Sequence, residues 1–450
     1  MITQYLKKLG YDVPNSEMIS GKLNEWHSWY EGKVTSFHNY TQYNGKKLIG
    51  RTRKSLCMAK KVCEDWANLL LNEKVDIIIN DNNLYDSVKA VLANNNFTVM
   101  GNKLVELTFA YGTGAFCEFL DKNKNIRIDY VKAENIFPIS WENGKITECA
   151  FGCKKRINNE DIIYISIHTL SQNGTYVITN KAIDAKSGNE TECNLEEKVI
   201  TNSKIPFFQI ITPNIINNYD VDSPFGISVF ANSIDVLEGI DLVYDSYQNE
   251  FRLGKKRIIV PLSMAQFLNE DNKSSFPVFD DNDTEFYAIK ASDNINEIKE
   301  INMTLRSDEH EKGLQRNLSL LSSKCGMGND RYIFDDASVK TATEIISEKS
   351  DLYSNLKKHE LVLEVALVNL AKAIIELLGK DSSKTVVTVS FDDSIIEDTN
   401  AVANRALLEL NAEIIDDVEY LMRVYKYSED AAIEFSNKMK KRNNTSETEV

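Results

Sequence analysis

The sequence predicts an α+β chain of several domains, and three observations predict it. Residues 1–113 carry apolar positions at helical spacing. Residues 114–215 alternate apolar and polar in the strand period. Two later segments, 223–253 and 340–378, hold a helical pattern far longer than an average helix. At 450 residues the chain can bury two or more sizeable cores. Its 42% hydrophobic and 26% charged residues match an ordinary soluble globular protein.

Taken in order, helices are expected over 16–31, 50–73, 83–93 and 97–111, with breaks at Pro14-Asn15, Asn44-Gly45 and the Asn94–Asn96 run. Strands are expected at 126-IRIDYV, 162-IIYISIHTL and 175-TYVITNKAI, joined by turns such as Asn143-Gly144 and Asn173-Gly174. FQIITPNI, residues 208–215, ends this β-rich block.

Ser223-Pro224 then opens a helix that runs to Leu253 and stops at Gly254. Its length would be roughly 42 Å. One apolar face carries Val229, Val236, Ile240, Val243, Tyr247 and Phe251, and a second carries Phe230, Ile234, Leu237 and Tyr244. Opposite them runs a polar stripe of Glu238, Asp241, Asp245, Gln248 and Arg252. A surface helix needs one apolar face. Two flanking faces suit a helix with neighbours on both sides, as in a ring, although an ordinary bundle would give the same pattern.

Lys255-Lys256-Arg257 follows at once, then a strand at 258-IIVPLSM, a polar loop and a second extended segment, 276-FPVFDDNDTEFYAIKA. Helix returns over 305–323, with Leu314, Leu318 and Leu321 on one face. Gly326 and Gly328 break it into the loop 326-GMGNDRYIFDDAS. The next helix changes character along its length. From Lys340 to Glu360, 15 of 21 residues are polar, whereas from Leu361 to Leu378, 14 of 18 are apolar. The second half is expected to be buried nearly all round. A strand at 386-VVTVSF, helices near 399–414, 414–424 and 428–441, and a disordered polar tail from Arg442 complete the chain.

Several function classes are excluded or disfavoured. A net charge of −15 argues against a tight, non-specific nucleic-acid binder of the basic-patch kind. The seven scattered cysteines and the absence of a sustained apolar core after Met1 suggest a reduced, intracellular protein with free thiols. Cys149-x-x-x-Cys153 has no second pair at ligand spacing, so no metal is expected, and no cofactor. Glu364, Asn369, Lys372 and Glu376 recur through the 361–378 run, which reads as a core helix and not a membrane span. None of the five histidines stands in a recognisable catalytic motif. Tyr111-Gly112-Thr113-Gly114 follows a helix and precedes a strand, the reverse of a dinucleotide-binding order, so it reads as a turn. The chain has no phosphate-binding G-x-x-x-x-G-K-[ST] loop, and Asp280–Asp283 lacks the Gly and distal Glu of a calcium loop. Trp26 and Trp29 share a helix face, which favours packing over base stacking. With no catalytic constellation, scaffold is favoured over enzyme.

The order of elements, with SPFGISVFANSIDVLEGIDLVYDSYQNEFRLGKKRIIVP (223–261) and VKTATEIISEKSDLY (339–353), resembles, most strongly over 223–261 and 329–360, the portal proteins of tailed bacteriophages, of the kind found in siphophages of Gram-positive bacteria. The resemblance implies a ring, typically of twelve subunits, at one capsid vertex, through which double-stranded DNA enters during packaging and leaves at infection. It implies a wing over 1–222, a stem helix over 223–254 and a clip over 255–302. A second stem helix over 303–324 and a tunnel loop over 325–338 would follow, then the long helix and wing completion over 339–398 and a helical crown over 399–450. Implied partners are the terminase large subunit, a head–tail adaptor, and the major capsid and scaffolding proteins. The implied place is the virion's portal vertex, reached from the host cytoplasm during assembly, with no membrane. Lys324, Asn329, Asp330, Arg331 and Tyr332 are then candidates to face DNA. Arg331 is the best channel-facing base, against simple loop solvation. DNA carries one negative charge per roughly 1.7 Å of duplex, so an acidic or neutral ring would let it slide. Lys255, Lys256 and Arg257 are candidates for clip docking, against simple complementarity to the preceding helix C-terminus. The competing readings are a non-channel structural or scaffold protein of the virion and an enzyme whose site forms between subunits.

Overall fold

The computed structural model of the chain describes every residue except 14–16, 44–46, 158, 194, 255, 262–266, 269–275, 278–285, 290–298, 330, 334–341, 392–398, 413, 426–431, 434 and 437–450. A short first helix, α1 (Ile2–Lys8), sets Tyr5 and Leu6 against the inner residues of a sheet, Ala150, Ile165 and Ile167. Helix α2 (Glu17–Glu31) places Trp26 and Trp29 in the main core, 4% and 3% exposed, so their shared face serves packing. After α3 (Thr35–His38), the strands β1 (Asn39–Tyr43) and β2 (Leu48–Thr52) pair antiparallel on either side of Asn44-Gly45.

One helix over 50–73 was expected, and this is corrected: helix α4 (Met58–Leu70) begins only after Cys57. The physical reason is local. Asn-Gly between β-favouring Tyr/Thr and Leu/Ile runs is a hairpin signal, and Arg51-Thr52-Arg53-Lys54 offers no apolar helical stripe.

Strand β3 (Asp76–Ile79) leads to α5 (Asn82–Asn94), whose first turn is capped by the Asp81 carboxylate, which accepts from Asn83 and Leu84 N–H. Helix α6 (Phe97–Tyr111) ends at Gly112. Strands β4 (Gly114–Leu120), β5 (Ile126–Lys132), β6 (Ile136–Glu142), β7 (Lys145–Ile157), β8 (Glu160–Leu170), β9 (Tyr176–Asp184), β10 (Lys198–Ile200) and β11 (Phe208–Ile211) then form two antiparallel sheets. One has the order β10-β9-β8-β7-β6 and the other β11-β4-β5. Asn143 and Gly144, both with positive φ, make the two-residue turn between β6 and β7.

The long helix that follows is shorter than expected. It spans Ile234–Leu253 (α7), about 30 Å, and not the stretch from Pro224. Residues 224–230 are instead pinned to the end of α6. Gly226 N–H donates to Thr113 Oγ1 (3.1 Å), Val229 N–H to the Phe109 carbonyl (2.9 Å), and Ser228 Oγ to the same carbonyl (3.2 Å). A β-carbon on Gly112 would meet the Gly226 carbonyl at 2.5 Å, and one on Gly226 would meet the Gly112 carbonyl at 2.3 Å. The backbone groups that would have started the helix are thus used to cap its neighbour.

Beyond α7 the described strands are β12 (Arg257–Pro261), β13 (Phe267–Leu268), β14 (Phe276–Pro277), β15 (Phe286–Ile289) and β16 (Lys299–Ile301). β12 is central between parallel β15 and antiparallel β16. Helix α8 (Ser307–Lys324) runs back along α7, and α9 (Ala342–Leu377) is 36 residues, about 54 Å. β17 (Val387–Ser390) returns to pair with β3, tying the end of the long helix to the N-terminal region. α10 (Thr399–Asn411) and α11 (Asp417–Tyr425) follow; most of the third helix expected there, and the tail, lie outside the described residues.

A single large core joins α4, α6, α7, α8 and α9 around Trp66, Phe109, Phe230, Ile240, Leu321 and Leu370. Leu363, Leu367, Leu370 and Ile374 of α9 are buried, but Leu361 and Val365 are 63% and 61% exposed. From Ala366 to Leu377 no residue is exposed, so the expected near all-round burial holds there, and the outward-facing Leu361 and Val365 limit it at the start of the run.

Candidate functional site

The elements that the sequence singled out meet in one place: the α7/α8 pair and the loop that follows it. Gly254 ends α7 where its N–H donates to the Glu250 carbonyl. The chain returns through Arg306, whose guanidinium clasps the Glu250 carboxylate (3.1 and 2.9 Å) and holds it down to about 2. Higher up, Ser246 Oγ lies 3.1 Å from His310 Nε2, Val243 packs near Gly313, Gly239 near Asn317, and Cys325 Sγ approaches Ser233 Oγ (3.8 Å). The two helices are therefore antiparallel and in contact over their full length. Each helix sets one glycine against a side chain of the other, Gly239 against Asn317 and Gly313 against Val243.

The polar stripe of α7 divides into two kinds of residue. Asp241 and Asp245 are buried, at 3% and 8% exposure. Asp241 accepts from Leu56 N–H (2.8 Å) and faces His38 Nε2 (3.0 Å), while Asp245 accepts from Lys54 N–H (3.1 Å) and Asn249 Nδ2 (3.0 Å). His38 Nδ1 in turn accepts from Val34 N–H (2.9 Å). These carboxylates fasten the segment 53–57 to α7 and do not face a solvent channel. Glu238 and Gln248 are partly buried, and Arg252 is exposed and donates to Asn249 Oδ1 (2.8 Å).

Past α8, the loop is anchored at its start. Trp66 Nε1 donates to the Cys325 carbonyl (3.1 Å), Asn355 Nδ2 to the Gly326 carbonyl (3.2 Å), and Gln315 Nε2 to the Tyr332 carbonyl (3.1 Å). Tyr332 is 9% exposed, and burial beside Asp65 pushes its phenol far up. Arg331 is turned toward Asp65 Oδ1 at 3.7 Å. Lys324 and Asn329 are exposed; Asp330 lies outside the described residues. Of the three basic residues after α7, Lys255 lies outside them too. Lys256 pairs with Glu300 across β12 and β16 (2.6 Å), and Arg257 begins β12. Sequence reasoning missed the Asp65 and Asp241 partners, because nothing local marks a carboxylate that will be met by a distant segment.

Elsewhere, one buried place differs in kind. A cavity of about 30 Å³ between β4 and β8 is lined by Glu118, His168, Asp129, Lys155, Cys153 and Asn180, among others. Both Glu118 oxygens and His168 Nδ1 are buried there without a hydrogen-bond partner; the Gln209 amide donates to the Pro206 carbonyl (3.0 Å). Burial raises Glu118 to about 8 and lowers His168 to about 3. The volume suffices for a water molecule or two. Among the described residues no group of three His, Cys, Asp or Glu is arranged to hold a metal, and no helix is long and apolar enough to cross a membrane.

An antiparallel helical pair is thus mounted on an α+β body, with a core-anchored loop at its end and two buried carboxylates of its first helix used as fasteners. The model of the family described as phage portal protein, SPP1 Gp6-like, matches residues 11–446, and the chain belongs to that family. No curated protein matches it. The family is structural and not enzymatic, and places the chain at the capsid vertex of a phage.

Proposed function

We propose that twelve copies of the chain form a ring with an axial channel, through which double-stranded DNA passes during packaging and ejection. The observation that carries this reading is the near-complete family match together with the α7/α8 pair it covers. In this reading residues 1–222 form the wing, 223–254 and 303–324 the stem, 255–302 the clip and 325–338 the tunnel loop. Residues 339–398 complete the wing and 399–450 form the crown. The clip docks the terminase large subunit and later the head–tail adaptor, while major capsid and scaffolding proteins surround the ring. The chain would meet its partners in the host cytoplasm and end in the virion.

Within the loop, exposed Lys324 and Asn329 are the residues best supported as DNA-facing, and Arg331 less so, since Asp65 draws it toward the body. Lys256, half-exposed in its pair with Glu300, supports a docking role for the basic run. Imaging of the purified chain with native mass tests the architecture. A ring with a central hole and a mass of roughly 610 kDa, twelve times 51.2 kDa, is expected. A closed two-fold oligomer without an axial hole overturns it. Charge reversal at Lys255 and Lys256 is then expected to weaken terminase or adaptor binding while leaving the ring intact. A ring that falls apart instead would give those lysines a structural role.

A further inference from the structure

Between Glu31 and Glu64 the chain has no acidic residue and eight Lys or Arg, which leaves the rest of a molecule of net charge −15 at −23. The β1/β2 ribbon stands in the middle of this stretch. None of its ten residues is buried, and its main packing outside itself is on α3. At the far end the directly paired Tyr43 and Leu48 are 64% and 68% exposed. An isolated two-stranded hairpin in water is marginal, and one that keeps apolar residues at its tip calls for a covering surface.

The base of the ribbon, by contrast, is firmly held. The Arg53 guanidinium lies over the Phe37 and Tyr40 rings (4.8 and 4.4 Å) and donates to the Phe37 carbonyl. Lys54 and Leu56 N–H end on Asp245 and Asp241, and His38 closes the set. A rigid root on α7 thus carries a projecting, basic, apolar-tipped strand pair.

We propose that this hairpin is an arm that lies on an adjacent copy of the same chain in the assembled ring. The inference rests on the ring reading above and names one of its contacts. A second copy fits because the remainder of the chain is strongly acidic, giving charge complementarity, and because a protein surface can cover Tyr43 and Leu48. A phosphate backbone would satisfy the cations and leave the apolar pair in water. An arm rooted in one subunit and seated on the next is a heterologous contact, the kind that closes rings.

The test compares the full wild-type chain with the double variant Leu48→Asp, Arg51→Glu, following assembly by native mass and light scattering across protein concentration. The arm requires that the variant keep the wild-type monomer circular dichroism while needing at least about tenfold more protein to form rings. In wild-type background, a photoreactive phenylalanine analogue at position 43 should cross-link rings into covalent dimers and higher species. Variant rings forming at the wild-type concentration, or adducts confined to single subunits, overturn the arm while leaving the ring reading standing. Variant rings that form normally but retain less double-stranded DNA assign the ribbon to nucleic acid and also overturn it. A wild-type chain that stays monomeric under all assembly conditions overturns ring and arm together.

Discussion

Two buried polar places, equally shielded from water, have opposite characters. On α7, Asp241 and Asp245 accept hydrogen bonds that join α7 to a segment nearly 200 residues earlier in the chain. Between β4 and β8, both Glu118 oxygens and His168 Nδ1 are deeply buried without a hydrogen-bond partner, and His168 is held only through Nε2, 2.9 Å from Ser166 Oγ. The difference teaches that burial alone does not say what a charged residue is for. A bonded carboxylate fixes geometry, whereas an unbonded one changes its protonation and makes stability depend on pH.

The largest effect that sharpens this contrast is Asp241→Ala. Removing one partner strands Leu56 N–H and His38 together, and about 3–5 kcal/mol of stability should be lost, measured by chemical denaturation. A loss below about 1 kcal/mol would break the comparison on the α7 side. Next comes Glu118→Gln, where the sign follows from linkage. The folded carboxyl titrates near 8 and the unfolded one near 4.5, so its stabilisation is full below pH 4.5 and is lost as pH rises through 8. The Gln variant should therefore gain relative stability with rising pH, on the order of 4 kcal/mol between pH 4.5 and 8.5. Melting temperatures of both proteins at pH 5, 7 and 8.5 would show it, and parallel curves would mean that the cavity leaves the carboxyl solvated.

The histidines act in the other direction. His168 and His359, each lowered to about 3 by burial, favour the fold fully above pH 6.5, and that advantage is lost as pH falls from there toward 3. His168→Asn should flatten the acid limb of the stability profile, an effect read from melts between pH 6.5 and 4. Smallest is Asp245→Asn, which keeps an oxygen for Lys54 N–H and should cost only about 0.5–1.5 kcal/mol by denaturant midpoint.

How much of this was legible beforehand depends on how local the cause is. The meander strands, α8 with Leu318 and Leu321 inward, and the Asn143-Gly144 turn follow from periodicity and turn chemistry within a few residues. The early portion of α7 failed because residues 224–230 bond to the end of α6, more than a hundred positions away. The hairpin at 39–52 was hidden behind a correct break at Asn44-Gly45 read between the wrong elements. At the candidate site, the basic run and the loop were found as residue types, but not the turning of Arg331 to Asp65 or the use of the α7 stripe as a fastener. Those depend on which distant segments meet, and no spacing within a stretch records that.

Helix α9 has a mechanical meaning as well as a packing one. From Leu352 to Ile375 it lines the large core, β17 ties its far end to β3, and Asn355 Nδ2 holds the Gly326 carbonyl of the loop after α8. A tilt of a few degrees about Ile374 would carry Asn355, about 29 Å away along the rod, through about 2 Å. Small strain gathered deep in the body would thus arrive at the loop magnified, and a push on the loop would be returned to the body with leverage.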